Sequence, residues 1–255
     1  MKSSLTLILF FWSFLYSSQN IKVTYIRNMQ GAADIIEKVY LNNNYKISIS
    51  DSIATKIYDL PTSSSDVHIK SKDKTYRRII IHNIKDKDLY FTHAFKSQNY
   101  LVNDHLPDIK WKIHSKDTKK IGKYLCTKAT TTFRGTEFEA YYTNEIPVSL
   151  APFKLSGLPG LVLEMRALGE NHNTWTVKSI EYPYKGTIDY SPKYIKSLKN
   201  VSLKKMVAMI DAQNEEDDRI QNSKLELPQG VKIVESSVKR VNGRGMIENK
   251  FEWEK

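Results

Sequence analysis

The sequence predicts a mainly β (α+β) fold: a single curved antiparallel sheet or half-barrel of about ten strands, with one helix near residues 201–214 packed on it. Three observations carry that expectation. Short runs of alternating apolar and polar residues recur along the chain, separated by polar connections. One stretch, residues 201–214, places Leu203, Met206, Val207 and Ile210 at helical spacing. Finally, Pro147, Pro152 and Pro159 fall in an apolar segment that cannot be a central strand, because proline donates nothing to a ladder.

Taken in order, residues 21–26 alternate and read as a first strand. Residues 31–40 fit either one or two helical turns or an irregular hairpin. Residues 45–50 alternate with Tyr45, Ile47 and Ile49 on one face, and residues 61–66 (PTSSSD) are a loop by composition. Strand-like runs follow at 76–84, 88–95, 99–102 and 109–114, with short connections that suit an antiparallel meander. Residues 121–131 and 136–143 form a hairpin across Phe133-Arg134-Gly135, where Gly135 can take positive φ. It sets Phe138, Ala140 and Tyr142 on one face and Glu137, Glu139 and Tyr141 on the other.

The proline-bearing segment carries Ile146, Val148, Leu150, Phe153, Leu155 and Leu158, too apolar for a solvated loop, so it is expected against the open face or rim of the sheet. Leu158 to Leu161, with Pro159 and Gly160 central, has the chemistry of a type II turn. Strands follow at 161–166 and 173–182. Ser202 can cap the helix, and the acidic run 215–218 continues or ends it. Two last strands are expected at 231–241 and 250–254.

Residues 1–18 have the pattern of a cleavable signal peptide: Lys2, an apolar run from Leu5 to Tyr16, then Ser17 and Ser18. That run is short for a spanning helix, which needs about 20 apolar residues. The remainder, 19–255, is expected as one soluble domain, periplasmic or secreted, with no transmembrane segment after cleavage. A hydrophobic content of 40% and a charged content of 26% exclude wholesale disorder, and the lone cysteine, Cys126, excludes an internal disulfide framework. The formal charge of +11 invites a nucleic-acid reading, but only 8 of the 39 basic residues are Arg and no recognition motif accompanies them. No specific nucleic-acid partner is expected.

Several motifs occur in fixed order: Trp111-Lys112-Ile113, Gly122 to Ala129 (GKYLCTKA, with Tyr124 and Cys126), Phe133-Arg134-Gly135, Ala140 to Thr143, Glu145-Ile146-Pro147, Pro152 to Leu155, and Gly157 to Val162. With the leader and the closing Phe251-Glu252-Trp253-Glu254, they resemble the GLPGLI family of exported Bacteroidetes proteins. Val162, Tyr141 and Ala151 depart from that pattern by size-tolerant changes. The resemblance implies an exported envelope protein with no general catalytic assignment. It also implies an accessory role, because a related domain occurs beside the catalytic domains of a glycan-releasing amidase.

Candidate chemistry is sparse. Cys126 reads as a small packed hydrophobe, since no base neighbours it in sequence. His82 and His93, with His105, lack metal-ligand spacing, so neither a metal nor another cofactor is expected. Glu137 and Glu139 share one strand face that Glu164 or Glu145 can approach; hydrolysis needs such a pair, while a lysine-rich sheet uses glutamates as cross-strand charge partners. The leading expectation is a non-catalytic module binding an envelope protein partner or an apolar ligand through Phe153, Leu155, Gly157, Leu158, Pro159 and Gly160. The alternative is a hydrolase acting on glycans or peptides through Glu137, Glu139 or Glu164.

Overall fold

The computed structural model describes residues 20–29, 34–42, 44–52, 76–168, 172–188, 192–223, 244 and 246–254. The leader 1–18, the loop at 61–66 and the strand expected at 231–241 lie outside the described residues. In chain order the elements are β1 (Ile21–Met29), β2 (Asp34–Leu41), β3 (Tyr45–Ser52), β4 (Tyr76–Asn83), β5 (Asp88–Phe95) and β6 (Gln98–His105). There follow β7 (Lys112–Ile121), β8 (Tyr124–Phe133), β9 (Thr136–Thr143), β10 (Leu161–Leu168) and β11 (Asn173–Glu181). Helix α1 (Pro192–Ser197), strand β12 (Lys199–Ser202) and helix α2 (Leu203–Ser223) complete the set.

The strands form one 12-stranded sheet in the order β12-β6-β5-β4-β3-β2-β1-β11-β10-β9-β8-β7. Two antiparallel meanders, β1 to β6 and β7 to β11, are joined where β1 pairs with β11. The sheet is not wholly antiparallel, because β12 runs parallel to β6 at one edge. The expected mainly β layer is therefore present, with more strands than anticipated and two helices.

The sheet curls strongly. Strands β5, β4, β3, β2, β1, β11 and β10 lie between β6 and β9. Flat, β6 and β9 would stand about 38 Å apart at ~4.8 Å per strand. Yet Asp104 of β6 accepts two hydrogen bonds, each 2.8 Å, from the guanidinium of Arg134 in the β8–β9 turn. The inner face so enclosed holds the segment 146–160, with Ile146, Leu150, Phe153, Leu155 and Leu158 buried, and the apolar side of α2, with Leu203, Met206, Val207 and Ile210. The Phe138, Phe153 and Trp175 rings follow one another at 6.3 and 6.0 Å between centroids. A buried aromatic of this kind stabilises by roughly 2–3 kcal/mol through area alone.

The C-terminal segment closes the core as a clasp. Asn249 and Lys250 donate backbone N–H groups to the Arg134 carbonyl at 2.8 and 2.9 Å, and Phe251 is buried. Arg244 holds Asp211 of α2 with two bonds of 2.6 and 2.7 Å.

One open alternative is decided and three expectations need correction. Of the two alternatives for residues 31–40, the helical turns give way to the hairpin: residues 34–41 are a strand antiparallel to β1, and pairing with β1 and β3 buries Val39 and Glu37. The helix begins at Leu203, since residues 199–202 pair with β6; the Ser202 hydroxyl accepts the Lys205 N–H at 3.3 Å, and the acidic run 215–218 continues the helix. Residues 250–254 form a turn rather than a strand. Gly160 does not take the positive φ of a type II turn; that conformation falls on Gly157, at 98°. Gly160 is glycine for another reason: a Cβ there would sit 2.0 Å from the Thr143 carbonyl oxygen.

Candidate functional site

Alternation along β9 and β10 turns Phe138, Ala140, Met165 and Ala167 inward and leaves Glu137, Glu139, Tyr141, Glu164 and Arg166 outward. Register then builds two cross-strand rows on the outer face. One runs Lys128, Tyr141, Glu164, Thr176, and the next runs Thr130, Glu139, Arg166, Thr174. Glu139 and Glu164 are thus diagonal neighbours on adjacent strands, a relation that spans about 7–8 Å.

Cations from β7, β8 and β10 cover this patch. Lys119 of β7 reaches across to Glu164 at 2.8 Å, and its ammonium lies 3.8 Å from the centre of the Tyr141 ring. Lys128 bonds Glu139 at 2.7 Å, and that hydrogen bond leads in raising the ammonium pKa. Arg166 bonds Glu164 at 2.9 Å. Between His114 and Thr118 the β7 register slips, and the displaced loop brings Asp117 to 3.5 Å from Lys128. The loop walls an open depression of about 570 Å³ lined by Ile113 to Thr118. Glu145 lies apart from the rows, accepting the Leu125 N–H at 2.9 Å.

The structure thus brings Glu139 and Glu164 together and sets Glu137 one step away on the same face, opposite Thr132. The cations over them, Lys119, Lys128 and Arg166, were not singled out from the sequence. Lys128 and Arg166 follow from the alternation already read, but the reach of Lys119 depends on the slipped register of β7.

Residues of the proline segment lie differently. Of the six residues expected to form a binding surface, Phe153 and Leu158 are 2% exposed, Leu155 is fully buried and Gly160 is buried, so that only Gly157 and Pro159 face solvent. Phe153 adopts a φ of 58°, and its N–H donates to Glu37 at 3.0 Å. The Leu155 carbonyl accepts from Lys46 at 2.6 Å. Trp111 donates its indole N–H to the Ser156 carbonyl at 2.8 Å and stands beside Gly157. Pro152 is buried and Pro147 exposed, Tyr124 packs at the rim of the core, and Cys126 is buried, which pushes its thiol up to about 11.

Arg134 is a structural hub. With Gly135 (φ 79°) it forms the two-residue turn of the β8–β9 hairpin, holding a φ of 48° that favours glycine or asparagine. Its guanidinium also bonds Glu252 at 2.9 Å and sits between the Phe133 and Phe251 rings, at 5.2 and 5.3 Å from their centres. Lys154 joins the cluster through Asp104 at 3.0 Å and through Glu248. These partners lie far from Arg134 in sequence, which is why the cluster was missed.

The histidines do not converge. His82 pairs with Leu89, and His93 pairs with Tyr100 across β5 and β6. Burial pushes both imidazoles down to about 4. His105 is exposed beside Asp88. Among the described residues no group of three His, Cys, Asp or Glu side chains is placed to hold a metal. None of their helices is long and apolar enough to cross a membrane.

The comparisons with known proteins bear on this geometry. Two solved crystal forms of PNGF-II are similar in structure: one at 18% identity and a TM-score of 0.50, covering 75% of this chain and 33% of that one. The other stands at 19% identity and 0.48, covering 72% and 31%. The chain therefore spans about a third of the length of those proteins, and the likeness is one of fold. No curated protein matches. The model of the N-glycanase peptide N-terminal domain matches residues 22–204, from β1 into the first turn of α2. This overturns the resemblance to the GLPGLI family, which leaned on motifs in residues 109–166; the match takes in the whole sheet, and no GLPGLI match accompanies it. With well over half of its length so matched, the chain belongs to the N-glycanase peptide N-terminal domain family.

Proposed function

We propose that this chain serves the enzymatic release of N-glycans as a carbohydrate-engaging accessory module, exported to the compartment where glycoproteins are met. The observation that carries the reading is the outer patch: Tyr141 flanked by carboxylates and cations at fixed cross-strand spacing. Sugars present neighbouring hydroxyls that donate and accept together. Paired ammonium and carboxylate groups offer both functions side by side. Each carboxylate is already bonded to a lysine or arginine on an open face, which suits recognition better than proton transfer.

The buried positions of Phe153, Leu155 and Leu158 weigh against the apolar-ligand form of binding, since their side chains make the core rather than a surface. The test is isothermal titration of the chain with an N-glycan oligosaccharide. The reading expects binding that falls at least tenfold in a Glu139→Gln/Glu164→Gln variant with an unchanged fold. Equal binding by the variant overturns it.

A second reading, hydrolysis by the chain itself, is favoured by one observation: the diagonal placement of Glu139 and Glu164 across β9 and β10. Long side chains on such neighbours reach one another across a sheet face, and glycoside hydrolysis employs two carboxyl groups on one substrate. Release of glycan from a glycopeptide by the isolated chain, lost in the same variant, supports this reading; turnover unchanged in the variant ends it.

A further inference from the structure

We infer that the inner face carries a second, separate site, which binds a carboxylate or phosphate group between Arg27 of β1 and Arg78 of β4. It lies on the opposite side of the sheet from the Tyr141 patch and does not depend on the reading of that patch.

The register places both arginines on the inner face. Arg78 pairs with Ser50, Ser50 with Glu37, and Glu37 with Tyr25, two residues before Arg27 on the same strand face. Both guanidiniums border one aromatic pair. Arg27 lies 5.3 Å from the Trp175 ring, Arg78 lies 5.9 Å from the Phe153 ring, and those two rings are 6.0 Å apart. Arg78 also lies 5.6 Å from the Phe91 ring. Aromatic faces hold the guanidinium planes while leaving their N–H edges available.

Neither arginine has an ion pair with a described residue, although Arg27 is only 7% exposed. Arg27 donates Nε to the Asn173 amide oxygen at 2.9 Å, and the Arg78 Nε is buried without a hydrogen-bond partner. The nearby carboxylates are engaged elsewhere. Glu37 accepts from Ser48, the Phe153 N–H and the Trp175 indole. Glu248 is held by Lys154 and Arg134. Among the described residues, the buried arginines and lysine Arg27, Arg134 and Lys154 already match the buried carboxylates Glu37, Asp104 and Glu248 in number, so half-buried Arg78 adds a positive charge beyond them.

The Arg78 charge acts against that of Arg27, while the charges of Glu37 and Glu248 act in its favour. Arg27 is pushed down to about 10, by burial first and by Arg78 second. An oxyanion bridging them would relieve that repulsion and satisfy the Arg78 Nε, since a fork of N–H donors matches a planar carboxylate or a phosphate face. The half-buried position of Arg78 gives the site its mouth.

The test is thermal unfolding of the whole chain at constant ionic strength, with inorganic phosphate or N-acetylneuraminic acid exchanged for chloride. Phosphate and the sugar acid distinguish a free oxyanion from a carboxylate borne on a glycan. The expected result is a rise in midpoint of several degrees with at least one of the two, abolished in Arg78→Met. The methyl ester of the sugar acid should give no rise. Without any anion the Arg78→Met variant should unfold at or above the wild-type midpoint, because it lacks an opposed charge. No rise with either probe overturns the assignment, as does an equal rise in the variant. So does a fall of the anion-free variant well below wild type, which would mark Arg78 as already satisfied.

Discussion

Replacing Asp104 by Asn is the most direct probe of how the sheet is held in its curl. The substitution keeps the side-chain shape but removes the charge facing Arg134 and Lys154, whose side chains are each 1% exposed. Two cations would then share Glu248 and half-exposed Glu252. Breaking a buried pair from one side costs about 3–5 kcal/mol, because the remaining charge is left uncompensated. Against a total stability of roughly 5–15 kcal/mol, that is a large fraction. With a urea slope of about 2.5 kcal/mol per molar, the unfolding midpoint should fall by about 1.5 M, read by tryptophan fluorescence. A fall under about 0.3 M would refute the reasoning, since it would mean the bond across the rolled sheet is solvated or absent. Burial works against the Asp104 carboxylate, but its bonds to Arg134 and the charge of Lys154 outweigh it and lower its pKa. The pair's contribution is thus present above the ordinary aspartate range and is lost as pH falls through the lowered value, so wild type and variant should converge in acid.

Gly160→Ala should lose roughly 3 kcal/mol by calorimetry, the upper end of overpacking costs, because its Cβ meets the Thr143 backbone oxygen. Gly157→Ala, whose Cβ would find Trp111 at 3.8 Å as its nearest neighbour, should lose only about 1–2 kcal/mol, from the positive φ. Fully buried Lys46 is pushed down to about 7, by desolvation. The unfolded chain keeps that proton to about 10.5 while the folded chain releases it near 7, so stability should rise with pH across this window at up to ~1.4 kcal/mol per unit. Denaturant midpoints from pH 7 to 10 should show that rise in wild type and lose it in Lys46→Met. Phe153→Ala should lower stability by about 3–5 kcal/mol in urea unfolding, as expected for an aromatic removed from a packed core.

Much of the architecture was legible because strands announce themselves by period. The alternation of Phe138, Ala140 and Tyr142 with Glu137, Glu139 and Tyr141 marks the two faces of β9, and Gly135 marks its turn. The rest depended on pairings that local pattern does not encode. Val201 fits both a strand and a helix, and its pairing with β6 decided for the strand. Glu37 and Lys46 are polar residues in alternating runs, a pattern that ordinarily points outward; here they face inward because the backbone of the 146–160 segment needs partners at Phe153 and Leu155. The candidate patch was half visible: its glutamates and Lys128 came from alternation, while the reach of Lys119 required the slipped register of β7 on β8.

The seam between β1 and β11 has a consequence for synthesis. Its two strands are separated by most of the chain, so a ribosome completes the whole first meander long before the strand that will cover β1 emerges. Until then the nascent protein presents a nine-residue rim of unpaired backbone groups, bearing Ile21, Val23 and Tyr25, all fully buried once folding ends. Such an unfinished rim is the kind of template on which chains join one another. Yield in a cell should therefore hinge on how fast β11 arrives and on the chaperones that guard the wait.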